Sequence, residues 1–180
     1  MDLVVRPCLY INKVMNNLVL FLTRKIFNLI PETRCFGLKR FLLRLAGAKI
    51  GKNVRICSNV SVIGNGNLVI GDNTWIGHET IIICSADIVI GSNVNIAPRC
   101  YIGTGTHEIN YDETIPNIAG KGLSYPIIIG DGCWVCAGST LLAGCSIGNQ
   151  TIIAAGSVVK GSVGSREIWG GVLAKFIKNI

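Results

Sequence analysis

The stretch IGDGCWVCAGSTLLAGCSIG, residues 129–148, decides the fold because an aliphatic side chain returns at every sixth position. The same period begins at residue 50, with a step of eight residues after Val62 and after Ile82, and breaks after residue 107 before it resumes. Its aliphatic positions are Ile50, Ile56, Val62, Ile70, Ile76, Ile82, Ile90, Ile96, Ile102, Ile129, Val135, Leu141, Ile147, Ile153 and Val159. Neither a helix nor a half-buried strand has this period, whereas the hexapeptide repeat of a parallel β-helix does.

Three hexads form one triangular coil, whose flat sides are short parallel strands paired with the coils above and below. The fifteen hexads therefore predict a mainly β fold of about five coils. A small or β-branched residue four positions after each aliphatic one predicts a second inward side chain per hexad, with Gly66, Ala86 and Thr106 among them. A conventional β-sandwich, the alternative, would instead alternate polar and apolar residues.

The repeat divides the chain into three parts. Residues 1–48 are predicted to form an N-terminal basic amphipathic helical segment, residues 49–164 the β-helix, and residues 165–180 a C-terminal strap over the last coil. Residues 108–128 interrupt the repeat. Long loops in compact repeat proteins are usually functional, so this excursion loop is predicted to be a lid or a substrate wall.

Apolar residues at helical spacing predict helices over 9–29 and 33–46, separated by Pro31. The second helix sets an apolar face against a basic one, made by Leu38, Phe41, Leu42 and Leu45 and by Lys39, Arg40 and Arg44. Two interpretations stay open for the helix pair. It caps the open first coil, or it contacts an anionic membrane surface.

The positive charge is concentrated at the N-terminal end. Residues 1–52 hold ten Lys or Arg against Asp2 and Glu32, whereas the remaining 128 residues hold seven against eight acidic residues. A near-neutral body with a basic leader favours contact with an anionic surface at one end. It argues against nucleic acid bound along the whole solenoid.

The predicted localisation is cytoplasmic. Residues 1–6 do not lead into the clean apolar stretch of a signal peptide, and the apolar run 18–22 is too short to span a bilayer. Peripheral contact of the protein with the inner face of the cell membrane is the second, open part of this prediction. The eight cysteines fit reduced thiols, and three of them, Cys100, Cys133 and Cys145, are predicted to be small inward hydrophobes. Cys133 and Cys136 form a CxxC without a second pair or a nearby His, so no metal is expected.

His107 is the candidate general base. The chain has two histidines, and His107 stands where the repeat breaks, directly after the run GTGT of residues 103–106. A histidine at a rim beside a long loop can accept a proton from a substrate. An ordinary surface histidine is the alternative.

Five blocks of sequence resemble one known family. They are GAKIGKNVRI (47–56), IGTGTHEI (102–109), IGDGCWVCAGSTLLAGCSIG (129–148), IIAAGSVVKGSV (152–163) and GGVLAKFIK (170–178). In this order they resemble the hexapeptide-repeat acyltransferases, and among them the sugar O-acetyltransferases of the maltose and galactoside type and of the capsule or lipopolysaccharide type. The resemblance covers about residues 45–178. It implies a left-handed parallel β-helix, a homotrimer, and acetyl-CoA in the cleft between adjacent solenoids.

The resemblance also assigns site residues. It implies that His107 deprotonates the acceptor hydroxyl, that backbone N–H groups meet the oxyanion, and that no metal is needed for catalysis. Small residues let a pantetheine arm approach the backbone, and ammonium groups can meet phosphates. The positions implied for acetyl-CoA are Ala137, Ala155, Lys160 and Lys175, with Trp134 and Gly156 beside them.

Residues for the acceptor are less defined. His78 or Glu79 stands where the maltose type uses an Asn, and either binds sugar hydroxyls or is a solvated turn residue. Asp87 orients the imidazole of His107 or is a turn carboxylate. Arg99 binds a carboxylated sugar or caps a turn. Tyr111, in the excursion loop, is a further candidate for contact with the substrate.

The function expected from the resemblance is acetyl-CoA-dependent O-acetylation of a sugar hydroxyl in a glycan or its precursor, within surface polysaccharide synthesis. Acetyl transfer to an antibiotic or to serine is one alternative, and a non-catalytic β-helix scaffold is another. A carbonic anhydrase on the same scaffold would need three His around zinc, and this chain has two.

Overall fold

Two helices precede the repeat in the computed structural model, which describes residues 14–112, 114 and 117–180. Helix α1 spans Asn17–Phe27 and helix α2 spans Phe36–Leu45. Both are shorter than predicted, and the part of the first prediction over 9–13 lies outside the described residues. Helix α1 begins late because Asn16 is its N-cap, with Oδ1 accepting a hydrogen bond from the Val19 N–H at 3.1 Å.

The chain then winds through five full coils and part of a sixth. In chain order the strands are β1 (Lys49–Ile50), β2 (Arg55–Ile56) and β3 (Ser61–Ile63); β4 (Leu68–Ile70), β5 (Trp75–Ile76) and β6 (Ile81–Ile83); β7 (Ile88–Ile90), β8 (Asn95–Ile96) and β9 (Tyr101–Gly103); the hairpin β10 (Gly105–Ile109) and β11 (Ala119–Ser124); β12 (Ile127–Ile129), β13 (Trp134–Val135) and β14 (Thr140–Leu141); β15 (Ser146–Ile147), β16 (Ile152–Ile153) and β17 (Val158–Val159); β18 (Ser162–Val163) and β19 (Glu167–Gly170); and finally β20 (Lys175–Asn179).

The strands form three sheets, one for each side of the coil. The first side is ordered β1-β4-β7-β12-β15-β18, the second β2-β5-β8-β13-β16-β19-β20, and the third β3-β6-β9-β14-β17. All neighbours on these sides pair in parallel except β19 and β20, which are antiparallel. The predicted parallel β-helix is confirmed, with about six turns in place of five, because β18 and β19 continue the coil beyond the last hexad.

The core is a set of aliphatic columns that run along the solenoid axis. On the second side Ile76, Ile96, Val135 and Ile153 stack in register and are fully buried. Full burial of such a side chain stabilises the fold by roughly 1.5–3 kcal/mol. No single coil could bury this surface, so each coil depends on its neighbours.

The prediction of inward residues is wrong at one corner. The strands of the first three coils repeat every 20 positions rather than 18, which adds two residues between the third side and the first. Gly66, Ala86 and Thr106 are therefore not buried, and Cys84 and Thr104 take the inward positions. Thr104 Oγ1 closes this corner by accepting a hydrogen bond from the Ala86 N–H at 2.9 Å.

The two helices lie on the first coil, with α1 against β3 and α2 against β1 and β2. The sequence left the orientation of α2 open, and in the structure its basic residues face the first coil. Arg44 donates to the Ile50 carbonyl at 2.6 and 3.0 Å, Arg40 donates to the Val54 carbonyl at 2.9 Å, and Lys39 is fully buried. The reason is that the edge of the first coil presents unpaired carbonyl oxygens, which need donors that leucines cannot supply. Leu38, Phe41 and Leu45 of the apolar face therefore point to solvent, whereas Leu42 packs against the core.

The C-terminal strap is a β-hairpin. Strand β19 pairs in parallel with β16, and β20 folds back on β19. The Trp169 and Phe176 rings meet edge to face at 6.4 Å between centroids. Trp169 Nε1 also donates to Glu167 Oε2 at 2.7 Å, so the strap is held by its own side chains.

The buried thiols predict a loss of stability at alkaline pH. Burial raises the pKa of Cys84 and of Cys145 from 9.0 to about 12. The folded chain thus keeps protons that the unfolded chain releases, so this stability is present below about pH 9 and is lost as the pH rises towards 12. We expect the free energy of unfolding to fall by up to about 1.4 kcal/mol per pH unit for each thiol. Denaturant titrations across this range measure the slope.

The double variant Cys84→Ala/Cys145→Ala should lose the share of the slope that these two thiols contribute, although its stability at neutral pH will be lower. Burial also raises the pKa of Cys57, Cys100, Cys133 and Cys136, and these thiols should keep the remainder. Cys35→Ala is the control, because Cys35 is exposed, and it should keep the wild-type slope. An unchanged slope in the double variant would exclude these thiols as the cause.

Candidate active site

The described part of the excursion loop contains a β-hairpin, which we call the arm. It begins at β10, earlier than predicted, and Gly105 pairs with Ser124 and His107 with Gly122 across the hairpin. The Tyr125 N–H donates to the Thr104 carbonyl at 2.9 Å and closes the base of the arm. Every residue of β10 is exposed. The role of this arm as a lid or substrate wall stays a prediction.

His107 is held on the arm by one backbone contact. Its Nδ1 lies 3.0 Å from the Gly120 carbonyl oxygen on β11. A carbonyl oxygen can only accept, so Nδ1 carries the proton and Nε2 keeps its lone pair. The basic nitrogen of the ring is therefore Nε2. No feature of the sequence pointed to Gly120, because its contact with the His107 ring depends on the register of the hairpin.

Asp87 does not supply the orienting contact. Its Oδ1 accepts hydrogen bonds from the Asn67 backbone N–H at 3.2 Å and from Asn67 Nδ2 at 2.9 Å. The arm has already left the coil when it reaches His107, which is why the shared hexad phase of the two residues does not bring them together. Asp87 therefore matches its alternative, a carboxylate that stabilises a turn.

Six of the predicted residues share one edge of the solenoid, between the second and third sides, which we call the second corner (77–80, 97–100, 136–139 and 154–157). Its successive coils are joined by backbone hydrogen bonds from Arg99 to His78, from Gly138 to Pro98, and from Gly156 to Ala137, at 2.8–3.0 Å. The six are His78, Glu79, Arg99, Ala137, Ala155 and Gly156.

The upper half of the second corner is a smooth strip of backbone. Gly138 and Gly156 have φ of +70° and +69°, and a β-carbon placed on either glycine would meet no atom within 4 Å. Ala137 and Ala155 beside them are exposed. Two successive coils therefore leave room for an extended ligand to approach the main chain, and this is the feature that a pantetheine arm requires.

The lower half of the second corner is polar. Arg99 Nε lies 2.7 Å from Glu79 Oε2, and both side chains are exposed. Exposed pairs of this kind contribute about 0–1 kcal/mol, so either partner can be recruited by a ligand at little cost. His78 Nδ1 lies 3.6 Å from Glu32 Oε2 in the connection between the helices.

The remaining predicted residues occupy other positions. Lys160 is exposed at the corner between the third and first sides, on the fifth coil, and Tyr111 is exposed on the arm. Trp134 is half exposed on β13, and Lys175 begins β20 on the same side. The base and the second corner thus lie at opposite edges of the third side. Counting hexads could have separated these two groups, since each corner recurs after three hexads.

Within the described ranges no three His, Cys, Asp or Glu side chains are grouped closely enough to bind a metal ion. In the same part of the chain no helix has the length and apolar character needed to cross a bilayer, and α1 has 11 residues.

The coiled parallel sheets and the six-residue period define the class of this protein, a hexapeptide-repeat β-solenoid. The family model "Bacterial transferase hexapeptide (six repeats)" matches residues 126–161, which form the fourth and fifth coils. The fourth and fifth coils thus carry the repeat of the hexapeptide transferases, and the resemblance stated from the sequence is confirmed over these residues.

Relatives agree with this assignment. The chain is 37% identical over 116 residues to a candidate acetyltransferase, YJL218W, of Saccharomyces cerevisiae, covering 63% of this chain and 57% of the relative. It is 33% identical over 121 residues to a candidate colanic acid biosynthesis acetyltransferase, WcaF, of Escherichia coli K12, covering 67% and 63%. The chain thus spans less than two thirds of either relative. The crystal structure of a maltose O-acetyltransferase from Clostridium difficile 630 superposes with a TM-score of 0.67 at 25% identity, covering 91% of this chain and 86% of that one.

Proposed function

We propose that this protein is an acetyl-CoA-dependent O-acetyltransferase that acts on a sugar hydroxyl of a glycan or its precursor in surface polysaccharide synthesis. The observation that carries the proposal is the His107 imidazole, whose Nδ1 is tied to the Gly120 carbonyl so that Nε2 is free to accept a proton. The names of its relatives, a colanic acid biosynthesis acetyltransferase and a maltose O-acetyltransferase, support the substrate class.

The chemistry needs one base and one electrophile. His107 Nε2 takes the proton from the sugar hydroxyl, and the oxygen attacks the thioester carbonyl of acetyl-CoA. The new C–O ester bond forms and the C–S bond breaks as the tetrahedral oxyanion collapses, with backbone N–H groups as its donors. The thiol of CoA, with a typical pKa of about 8.5, is a good leaving group and recovers the proton from the imidazolium.

The second corner fits acetyl-CoA. The smooth strip at Ala137, Ala155 and Gly156 takes the pantetheine arm, because no side chain fills the space above it. Lys160 and Lys175 are exposed cations for the phosphates, and Trp134 offers an exposed ring. When bound, acetyl-CoA supplies the activated acyl group.

The homotrimer is part of this proposal. In one chain the arm and the second corner lie at opposite edges of the third side, so a complete site requires the arm of one protomer to reach the second corner of the next. Ile109, Tyr111 and Ile118 on the arm are exposed apolar side chains that such a contact would bury. A cyclic assembly repeats this heterologous interface around a closed ring.

Mixed oligomers test the shared site. His107→Ala removes the base, and Ala155→Trp fills the smooth strip at an exposed position that tolerates bulk. Each variant alone should have at most about 1% of the wild-type activity. Co-assembled in equal amounts, they should regain about a quarter of the wild-type activity, because one site in four then joins a normal arm to a normal corner. No recovery in verified mixed oligomers would place both halves of the site within a single chain.

Acetyl-CoA turnover with a panel of acceptors tests the reaction itself. Release of CoA with glycans or sugar nucleotides, and mass spectrometry of an O-acetylated product, would support the proposal. Turnover only with antibiotics or serine would support the alternative acceptors, and no turnover with any acceptor would favour a scaffold.

The proposed location is the cytoplasm, at the inner face of the cell membrane, with contact through residues 1–48. Ten Lys or Arg against two acids in residues 1–52 support this placement.

A further inference from the structure

The helical cap presents large apolar side chains to solvent. On α1, Leu18 and Leu22 lie on one stripe, opposite the buried Leu20 and Phe27, and Leu29 follows just after the helix. On α2 the exposed face is made by Leu38, Phe41 and Leu45. We call the surface of Leu18, Leu22, Leu29, Leu38, Phe41 and Leu45 the cap face. Their exposures range from 45% to 85%.

This surface is not explained by the solenoid. Exposed apolar residues are ordinary when scattered, but here both helices turn an apolar stripe away from the first coil. In α2 the basic residues bind the edge of the coil, so the apolar stripe is left outside by the fold itself. A helix that only capped the coil would have no need for leucine and phenylalanine on its far side.

The charges around the cap face indicate what covers it. Lys25 on α1 and Arg34 in the connection are exposed, and Glu32 is the one acidic residue in the sequence between residues 14 and 48. Apolar side chains flanked by cations match the headgroup region of an anionic bilayer. A second copy of the chain is less suitable, because it would bring like charges together.

We propose that the cap face inserts into the interfacial region of an anionic lipid bilayer, so that the membrane is bound by apolar insertion and not only by charge. The inference rests on the proposed function, because a lipid-linked glycan acceptor would be presented to the enzyme at the membrane surface. The arm with His107 leaves the solenoid after β9, two strands along the sheet from β3, which α1 contacts. Neighbouring strands are about 4.8 Å apart, so this is about 10 Å from the cap along the axis.

Vesicle flotation of the full-length protein tests the inference. We expect wild-type protein to float with vesicles of phosphatidylglycerol and phosphatidylcholine, and to keep much of this binding in high salt because insertion is not screened. Leu18→Gln/Leu22→Gln/Phe41→Gln should weaken the partition by about 100-fold. Binding that high salt abolishes, or that the triple variant retains, would overturn the insertion proposal.

A matched control is available at the other end of the chain. Val172, Ile177 and Ile180 are exposed to a similar degree, at 77%, 57% and 56% against 67%, 50% and 59% in the cap triple. Their replacement with Gln should leave flotation unchanged, and an equal loss would show a non-specific effect of surface hydrophobicity.

Two further readouts separate the outcomes. If the wild-type protein forms assemblies larger than the trimer as its concentration rises, and the cap triple does not, the cap face is an interface between copies and the membrane proposal is overturned. Acetyl transfer to a water-soluble acceptor is measured on the same proteins and should be unchanged in the cap triple. If the wild-type protein floats with vesicles but transfers no acetyl group, the proposed function is wrong and the membrane-binding surface is still supported.

Discussion

His107→Ala is expected to lower the turnover number for acetyl transfer by about 10²–10⁴-fold, the range that a general base typically contributes. Without Nε2 the sugar hydroxyl must lose its proton to water, whereas the thioester and its binding strip are unchanged. The loss should therefore appear in kcat, with KM for acetyl-CoA and its dissociation constant close to wild type. Steady-state kinetics and a direct binding measurement on purified oligomers give both values.

The control for this variant lies on the same arm. Lys121 is exposed on β11, so Lys121→Ala removes a side chain from the hairpin and leaves the base in place. Neither substitution should change the free energy of unfolding by more than about 0.5 kcal/mol, because both positions are exposed. A His107→Ala enzyme with turnover within a few-fold of wild type, in an intact oligomer, would contradict the base assignment.

The coils were predictable because their signal is periodic and local. An aliphatic residue at every sixth position can bury its side chain in only one way, and it does so at Ile96 and Ile153 whatever the neighbouring segments do. The extra turn was missed because Trp169 in β19 stacks on Ile153 outside the hexad period. Strand β19 forms because it pairs with β16, and not because its sequence continues the repeat.

The orientation of α2 could not be predicted from its own sequence. Its pattern has two faces, and an amphipathic rule turns the leucines inward. The structure reverses this because the first coil offers carbonyl oxygens at its edge, and the Arg40 and Arg44 side chains satisfy them. The carbonyl oxygens that decide the orientation of α2 belong to Ile50 and Val54, which lie in the first coil and not in the helix.

Only part of the site could be predicted, because some of its contacts also depend on other elements of the fold. His107 was recognisable from its place at the break in the repeat, while its contact with Gly120 depends on a hairpin whose strands are separated by a long connection. The strip at Ala137 and Ala155 was visible only as small residues, which a tight coil needs in any case. Their alignment with the glycines at positive φ is a property of the stacked coils.

Lys39 links the cap to the first coil and is the second position where we expect a large effect. Its side chain is fully buried, and Nζ donates to the Glu32 carbonyl and to Ser58 Oγ, both at 2.9 Å. The Phe27 and Phe36 rings lie 5.9 and 5.6 Å from Nζ. Burial lowers the pKa of Lys39, so its charge is retained at a cost that the two acceptors and the two rings offset.

Lys39→Ala is expected to reduce the free energy of unfolding by about 3 kcal/mol. Part of this is the cavity left by the aliphatic stem, and part is the loss of the donor to the buried Ser58 Oγ. The Glu32 carbonyl still accepts a hydrogen bond from the Ser58 N–H at 3.1 Å. Lys39→Met keeps the stem and loses the donors, so its cost should be about half as large. Lys25→Ala, on the exposed side of the same cap, should change stability by no more than about 0.5 kcal/mol.

Denaturant unfolding of the three variants decides between this account and a simpler one. If Lys39 acts only as a filler, Lys39→Met will be as stable as wild type or more stable, because a buried charge is replaced by an apolar side chain of similar volume. If its donors hold the connection between α1 and α2 on the first coil, Lys39→Met will lie between wild type and Lys39→Ala. The order wild type, Met, Ala is expected because Ser58 Oγ donates onward to the Ile30 carbonyl at 2.7 Å, so loss of the ammonium group disturbs a chain of hydrogen bonds and not a single contact.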